Sequence, residues 1–388
     1  MRKLDNWLDS YLTYVNNTEP PTLFKTWSGL SAIAAVLQRK CSLQIGMNET
    51  FPNMFVVLVG PSGAGKSRAI NPAKKFLVKS GIKLAAQKLT NEALIRDLQQ
   101  SFSDNMDDGV MKIHSSLTIF SSELAVLIRH QNQTLVDDLC DLYDCEDKWD
   151  YKTKGEGGSD EIIKPYLNIL GGITPTTFRS RLPSEAIGGG LTSRMVCVYE
   201  EKPSRLIPIH FLTKEEIKLF DDLLHDLEEI KAMKGEFKLT DGFIQLWTSW
   251  YMKARTKPPF SQQFLDGYNS RRPLHVLKMS MNISACRTSD MIISMEDLSK
   301  SIHLLEQTEI NMPKTFEGMG ENKNATVVVE VMKFVAAHQR TDLAAINKKF
   351  IHNADEFTLR NIIKQLEVMK YIKFDSMAGT IEYLPEGK

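Results

Sequence analysis

At 388 residues, with 42% apolar and 25% charged residues, the chain has an ordinary globular composition and the length for two or three domains. Lys plus Arg and Asp plus Glu each number 48, so any nucleic-acid affinity must come from local patches and not from overall charge. No apolar run approaches the roughly 18 residues of a membrane span, the N-terminus lacks a signal-peptide core, and five scattered cysteines argue against zinc and disulfides, so an intracellular, cytoplasmic setting is expected.

Apolar residues at three- and four-residue steps predict a short amphipathic helix over 7–15, closed by Glu19-Pro20-Pro21. A second, Ala- and Leu-rich helix is expected over 23–39, and together they make an N-terminal helical segment, 1–50. A polar turn over 48–52 leads into an apolar strand, 54–59. Directly after it stands Gly60-Pro61-Ser62-Gly63-Ala64-Gly65-Lys66-Ser67, which fits G-x-x-x-x-G-K-[ST]. The glycines let successive N–H groups turn inward, and the helix expected over 68–79 adds its positive end, so the loop suits a polyphosphate. Lys66 is the residue for the β/γ-phosphates, and the Ser67 hydroxyl for Mg²⁺. ATP and Mg²⁺ are therefore the expected substrate and cofactor.

A strand over 82–86 and a helix over 90–100 with Thr90 as its cap come next, followed by a polar, acidic loop over 103–109. The apolar strand 117–121 then runs into Ser122-Glu123, the place where a phosphate-loop ATPase keeps its second motif. Glu123 can orient the attacking water; Ser122 stands where an Asp usually helps hold Mg²⁺, leaving it a contact through water. Residues 147–164 read as a β-hairpin whose tip carries Lys152 and Lys154 beside Trp149 and Tyr151. That tip suits a single-stranded nucleic acid, or is a solvated excursion. The strand over 166–173 ends at Thr174, the first choice for a side chain touching the γ-phosphate or the water, with Asn168 second. Arg194 ends a Gly-rich approach to the strand 195–199, from which a guanidinium can reach a neighbouring subunit's nucleotide; an ordinary surface arginine is the alternative.

Beyond a linker at 202–208, Thr213 and Glu216 have capping-box spacing, and helices are expected over 213–227 and 241–255 and, after the stretch 268–274, up to about 287, with Ser294 and Asp297 capping another to 310. This block reads as an all-helical lid, 206–312, with Phe243, Leu246, Trp247 and Trp250 as core. After a Gly-containing linker, 325–388 has the order helix, helix, helix, strand, strand, which describes a winged helix. Arg360 and Lys364 lie one turn apart on its third helix, facing DNA phosphates or a protein.

From about residue 19 to the end, the chain resembles the helicase- or primase-helicase-like ATPases of phages and mobile elements, a domain-of-unknown-function family. Pro52 to Val59 running into the loop, Ile119-Phe120-Ser121-Ser122-Glu123-Leu124 and Leu170-Gly171-Gly172-Ile173-Thr174-Pro175 carry the likeness. Leu191-Thr192-Ser193-Arg194 is similar to the arginine-finger element of AAA+ helicases of the minichromosome-maintenance type. The resemblance implies an α/β, AAA+/RecA-like P-loop ATPase core at 51–205, a helical lid and a C-terminal winged helix. It also implies a ring, expected to be a homo-hexamer, with the hairpin in a DNA-filled pore, and Arg271 or Arg272 as a nucleotide-sensing lid arginine. The function it implies is a DNA helicase or translocase in phage or mobile-element replication, alongside other replication proteins. An initiator or helicase loader on duplex DNA, and a regulatory ATPase with protein partners, stand as the alternatives.

Overall fold

The computed structural model describes residues 1–86, 90–107, 110–128, 132–152, 159–183, 186, 188–317, 325–351, 353–375 and 378–384. The chain is a mixed α/β protein that divides into two compact units, Met1–Glu317 and Gly318–Lys388.

A five-stranded sheet organises the larger unit, in the order Phe102–Asp107, Val110–Ser121, Pro165–Ile173, Phe55–Val59, Met195–Tyr199. The last four strands are parallel, and Phe102–Asp107 is antiparallel to its neighbour. Phe55–Val59 and Pro165–Ile173 are buried at every position, as parallel strands covered on both faces must be. Val59 lies opposite both Ile173 and Tyr199, and Ser121 opposite Gly171. All four parallel strands therefore deliver their following loops to one edge of the sheet, where α/β sheets bind ligands.

Two expectations at the sheet's far side need correction. The acidic stretch expected as a loop over 103–109 contributes the strand Phe102–Asp107; an edge strand pairs on one side only and tolerates a polar sequence. The strand expected over 82–86 shrinks to a single parallel bridge, Leu84 to Thr118, on the remaining part of that edge.

The N-terminal helices are not a separate segment. Trp7–Tyr14, capped by the Asn6 side chain, anchors through Trp7 Nε1 to the Leu223 carbonyl at 2.9 Å, and so joins the helix Lys214–Lys231. Thr22–Leu37 is buried along almost its whole length against the sheet, where Ala34 O accepts from the Tyr166 hydroxyl at 2.6 Å. Both expected capping boxes form, Thr213 with Glu216 and Ser294 with Asp297. The block they open is not all helical: Gly235–Glu236 pairs with Cys41–Ile45, and Lys238–Leu239 with Ile292–Ile293. Its central helix, Asp266–Arg287, runs buried between the other layers.

His275 on that helix ties the layers together and makes stability pH-dependent. Its Nε2 lies 3.0 Å from the Ser193 carbonyl, which can only accept, so Nε2 carries the proton and Nδ1 accepts from the Tyr143 hydroxyl at 3.2 Å. Burial pushes its pKa down from 6.5 to about 4, and His114, also desolvated, falls to about 4. Between about pH 6.5 and 4 the unfolded chain binds protons that the folded chain refuses, so stability falls as pH drops through this window. His275→Gln should reduce that fall, leaving the contribution of His114, read from urea midpoints across the same pH range. A slope equal to wild type would exclude His275 as its source.

The smaller unit holds helices Ala325–His338, Leu343–Phe350 and Glu356–Val368 around a core that includes Val331, Val335, Ile346, Ile362, Leu366 and Ile381. The expected hairpin, Ile372–Asp375 with Thr380–Tyr383, gains a third strand, Arg340–Asp342, on the other side of Thr380–Tyr383. Thr341 pairs with Ile381 and Asp342 caps the second helix, which is why that helix starts later than its apolar spacing suggests. Among the described residues no helix is long and apolar enough to cross a membrane.

Candidate functional site

At the shared edge of the parallel strands lies a cavity of about 600 Å³, lined by Ser62, Gly63, Gly65, Lys66 and Ser67, by Ser122 and Glu123, and by Thr174 and Thr177. The loop 60–65 leaves the strand Phe55–Val59 and enters the helix Lys66–Lys79. Gly60 must be glycine, because a Cβ there would stand 2.2 Å from the Glu200 carbonyl oxygen. Gly65 caps the helix at φ 90°, a left-handed conformation that costs other residues energy. Within the loop, Ala64 N–H closes a turn onto Pro61 O. The N–H groups of Ser62, Gly63, Gly65, Lys66 and Ser67 make no backbone hydrogen bond among the described residues. They are the orphan donors of a helix start and a turn, concentrated on one side of the cavity.

Lys66 folds back over this loop. Its Nζ donates to Gly60 O at 2.6 Å and Pro61 O at 2.8 Å, and burial lowers its pKa. Two neutral carbonyls thus stand in for whatever anion a half-desolvated ammonium would otherwise seek.

Glu123 follows the strand Val110–Ser121 by two residues, and its N–H is held by Ser121 Oγ at 3.3 Å. Thr174 caps the helix Pro175–Arg181: its Oγ1 accepts from Thr177 N–H at 3.3 Å and meets Thr177 Oγ1 at 2.8 Å. Because Pro165–Ile173 is inserted between the loop strand and the acid strand, those two are two strand spacings apart, roughly 10 Å, with Thr174 on the strand between them. The separation leaves room for a terminal phosphate and a water.

Three polar residues of the cavity are not among the expected site residues. Arg68, paired with Glu19, and Thr177 all line the cavity. Arg68 directly follows the loop motif and Thr177 repeats Thr174 at cap spacing, so both carried a signal; Glu19 carried none. It closes the site from outside the motif, accepting the Ile207 N–H at 3.2 Å as well as Arg68.

Other expected site residues lie elsewhere. Asn168 is a correction: it sits beside the opposite end of Phe55–Val59, fully buried, where its Oδ1 accepts from Met54 N–H and its Nδ2 donates to Ser31 O, both at 3.0 Å. It is a structural clamp and cannot touch a phosphate at the cavity. Arg272 is likewise corrected, since its buried guanidinium makes two bonds to Glu309, at 2.6 and 2.8 Å. Arg194 and Arg271 share one carboxylate, Asp144, with Arg271 at 3.2 Å. Arg194 also donates to Gly190 O at 3.0 Å, and precedes Met195, which is opposite Phe55. Both arginines are therefore at the end of the sheet away from the cavity.

The hairpin forms from Lys148–Lys152 and Ser159–Ile163, but Lys154 and the side chain of Lys152 lie outside the described residues. On the helix Glu356–Val368, Arg360 and Lys364 are exposed, and Glu356 Oε1 accepts from Arg360 at 2.8 and 3.1 Å. Among the described residues no group of three or more His, Cys, Asp or Glu is placed to hold a metal. Neither a protein-family model nor a curated protein matches this chain.

Proposed function

We propose that the chain is an ATPase with an AAA+/RecA-like phosphate-loop core, acting on DNA as a helicase or translocase in phage or mobile-element replication. The observation that carries the ATPase reading is the convergence of three neighbouring strand ends on one cavity: an N–H-lined loop with Lys66, a polar pair at Thr174 and Thr177, and the Glu123 carboxylate. The loop N–H groups would hold the β- and γ-phosphates, and Lys66 would exchange its two carbonyl partners for phosphate oxygens, recovering the hydration it loses by burial. Glu123 would take the proton of the attacking water, and Thr174 would orient that water or the γ-phosphate. The residues fit Mg²⁺ only in part: Ser67 Oγ would supply one oxygen, Ser122, which lines the same cavity, could contribute through a water, and phosphate and water must supply the remainder. When bound, the ion would neutralise charge developing on the transferring phosphate.

Lys66→Ala tests the reading. ATP binding, measured by calorimetry with the full chain, should be lost and turnover with it; binding and hydrolysis at wild-type levels would overturn the assignment of the loop.

The DNA part rests on the smaller unit, whose three helices and three-stranded sheet suit a winged helix presenting Arg360 and Lys364. One observation favours a second reading, a protein-directed regulatory ATPase: Glu356 neutralises Arg360 and leaves that face with little net charge. ATPase stimulation by single-stranded DNA separates the two, since a flat response removes the nucleic-acid reading.

A further inference from the structure

The helix Asp241–Thr256 departs from its expected role as a core helix. Phe243 alone is buried on it; Leu246, Trp247, Trp250 and Tyr251 are half-buried, and Ile244 and Met252 are exposed. The rings form a continuous ladder: Phe243 stacks on Trp247 at 6.1 Å, and Trp247 meets Trp250 at 5.4 Å and Tyr251 at 5.8 Å. This ladder is a ridge between two cavities. Trp250, Lys253, Ala254 and Lys257, spaced as one helical face, line a cavity of about 570 Å³. Trp247 and Tyr251 line the other, of about 520 Å³.

The charge around the ridge is one-sided. No acidic residue occurs from Gly242 to Leu265, while Lys253, Arg255 and Lys257 crowd the end of the helix. The acids that face the cavities from other elements are engaged or peripheral. Glu309 and Glu306 both lie against Arg272, and Asp144 is taken by Arg194 and Arg271, leaving Glu49, on the strand Asn48–Thr50, as the remaining acid of the two linings. Arg255 is spent locally, its Nε 3.2 Å from the Tyr251 hydroxyl and its charge over that ring. Lys253 and Lys257 have no side-chain ion pair or hydrogen bond among the described residues. Half-exposed aromatic rings followed within a turn by unpartnered ammonium groups satisfy both needs of a single strand, a stacking platform for bases and charge for phosphates.

We propose that the Trp247–Trp250–Tyr251 ridge, with Lys253 and Lys257, binds single-stranded nucleic acid by stacking bases on the rings and pairing phosphates with the two lysines. The inference rests on the DNA-directed reading for the class of partner, and on nothing in the ATP cavity. An apolar protein partner is disfavoured by the cationic end, which gains nothing from such a surface.

Titration of the full chain with a labelled oligothymidylate, without ATP, tests this directly. Trp7, Trp27 and Trp149 are buried, so stacking on the ridge should quench the fluorescence of Trp247 and Trp250. Trp250→Ala should weaken binding roughly five- to a hundredfold, and Trp250→Phe should restore most of it. Lys253→Gln with Lys257→Gln, which touches no packed side chain, should weaken binding and lower the slope of log affinity against log salt by about 1.4, at ~0.7 per lysine on a single strand. Unchanged affinity and salt slope in that double variant, or binding without quenching, would overturn the proposal. So would a Trp250→Ala chain that loses oligomeric mass and keeps its affinity, which would make the ridge a contact between copies. Lys66→Ala should bind the oligonucleotide like wild type, so a failure of the ATPase reading stays distinguishable from a failure of this one.

Discussion

Glu123→Gln should lower ATP turnover by about 10²- to 10⁴-fold while leaving ATP affinity within a few-fold of wild type. The expectation follows from where the strand ends. Ser121 is the last residue of its strand, paired with Gly171, and the chain then turns so that Ser122 and Glu123 both border the cavity. Among the described residues the Glu123 side chain makes no hydrogen bond; only its N–H is fixed, by Ser121 Oγ. A carboxylate held at its base and free at its tip, across the intervening strand from the phosphate loop, is placed to receive a proton from water and not to grip the nucleotide. Glutamine keeps the size and polarity and removes the basicity. Single-turnover hydrolysis beside equilibrium ATP binding separates the effects. If affinity falls in step with turnover, Glu123 holds nucleotide or metal, and the role of base belongs elsewhere.

The parts of this site that could be read in the sequence are those written in contiguous residues. The loop Gly60 to Ser67, its strand and its helix form one local unit, and Thr174 follows from a strand running into a Thr-Pro helix start. The capping boxes were legible for the same reason. Where position depends on the third dimension, the pattern fails. Asn168 is the second choice after Thr174 from sequence, yet it lies within the strand beside Met54, before the loop strand begins, and only register tells which part of the strand meets the loop. Arg271 and Arg272 are adjacent in sequence and point to different carboxylates, Asp144 and Glu309. The aromatic residues of Asp241–Thr256 have core spacing, but only Phe243 among them is buried. Periodicity reports which residues share a face, and not whether anything covers that face.

If, as we propose, the chain assembles into the ring expected from its sequence, Arg194→Ala should lower turnover by about 10³- to 10⁵-fold with ATP affinity kept. In its own subunit Arg194 cannot reach the cavity. It precedes Met195, which lies opposite Phe55, and the phosphate loop starts beyond Val59, a further four residue steps or roughly 13 Å along the sheet. Any part it takes in hydrolysis must therefore be played at another subunit's cavity. In the single chain Asp144 holds Arg194 and Arg271 side by side, which stores two guanidinium groups at one place and keeps Arg194 only 11% exposed. Engagement with a neighbouring phosphate would have to draw Arg194 away from Asp144, leaving Arg271 to balance the carboxylate. Folding should survive the substitution for that reason, and thermal unfolding of the variant verifies it. The decisive measurement mixes two inactive chains. Arg194→Ala retains a working cavity and Lys66→Ala retains the arginine, so mixed assemblies should regain part of the turnover that each lacks alone. A mixture as inert as its components, or an Arg194→Ala chain that hydrolyses like wild type, would place the Arg194–Asp144–Arg271 cluster among the contacts that hold the fold.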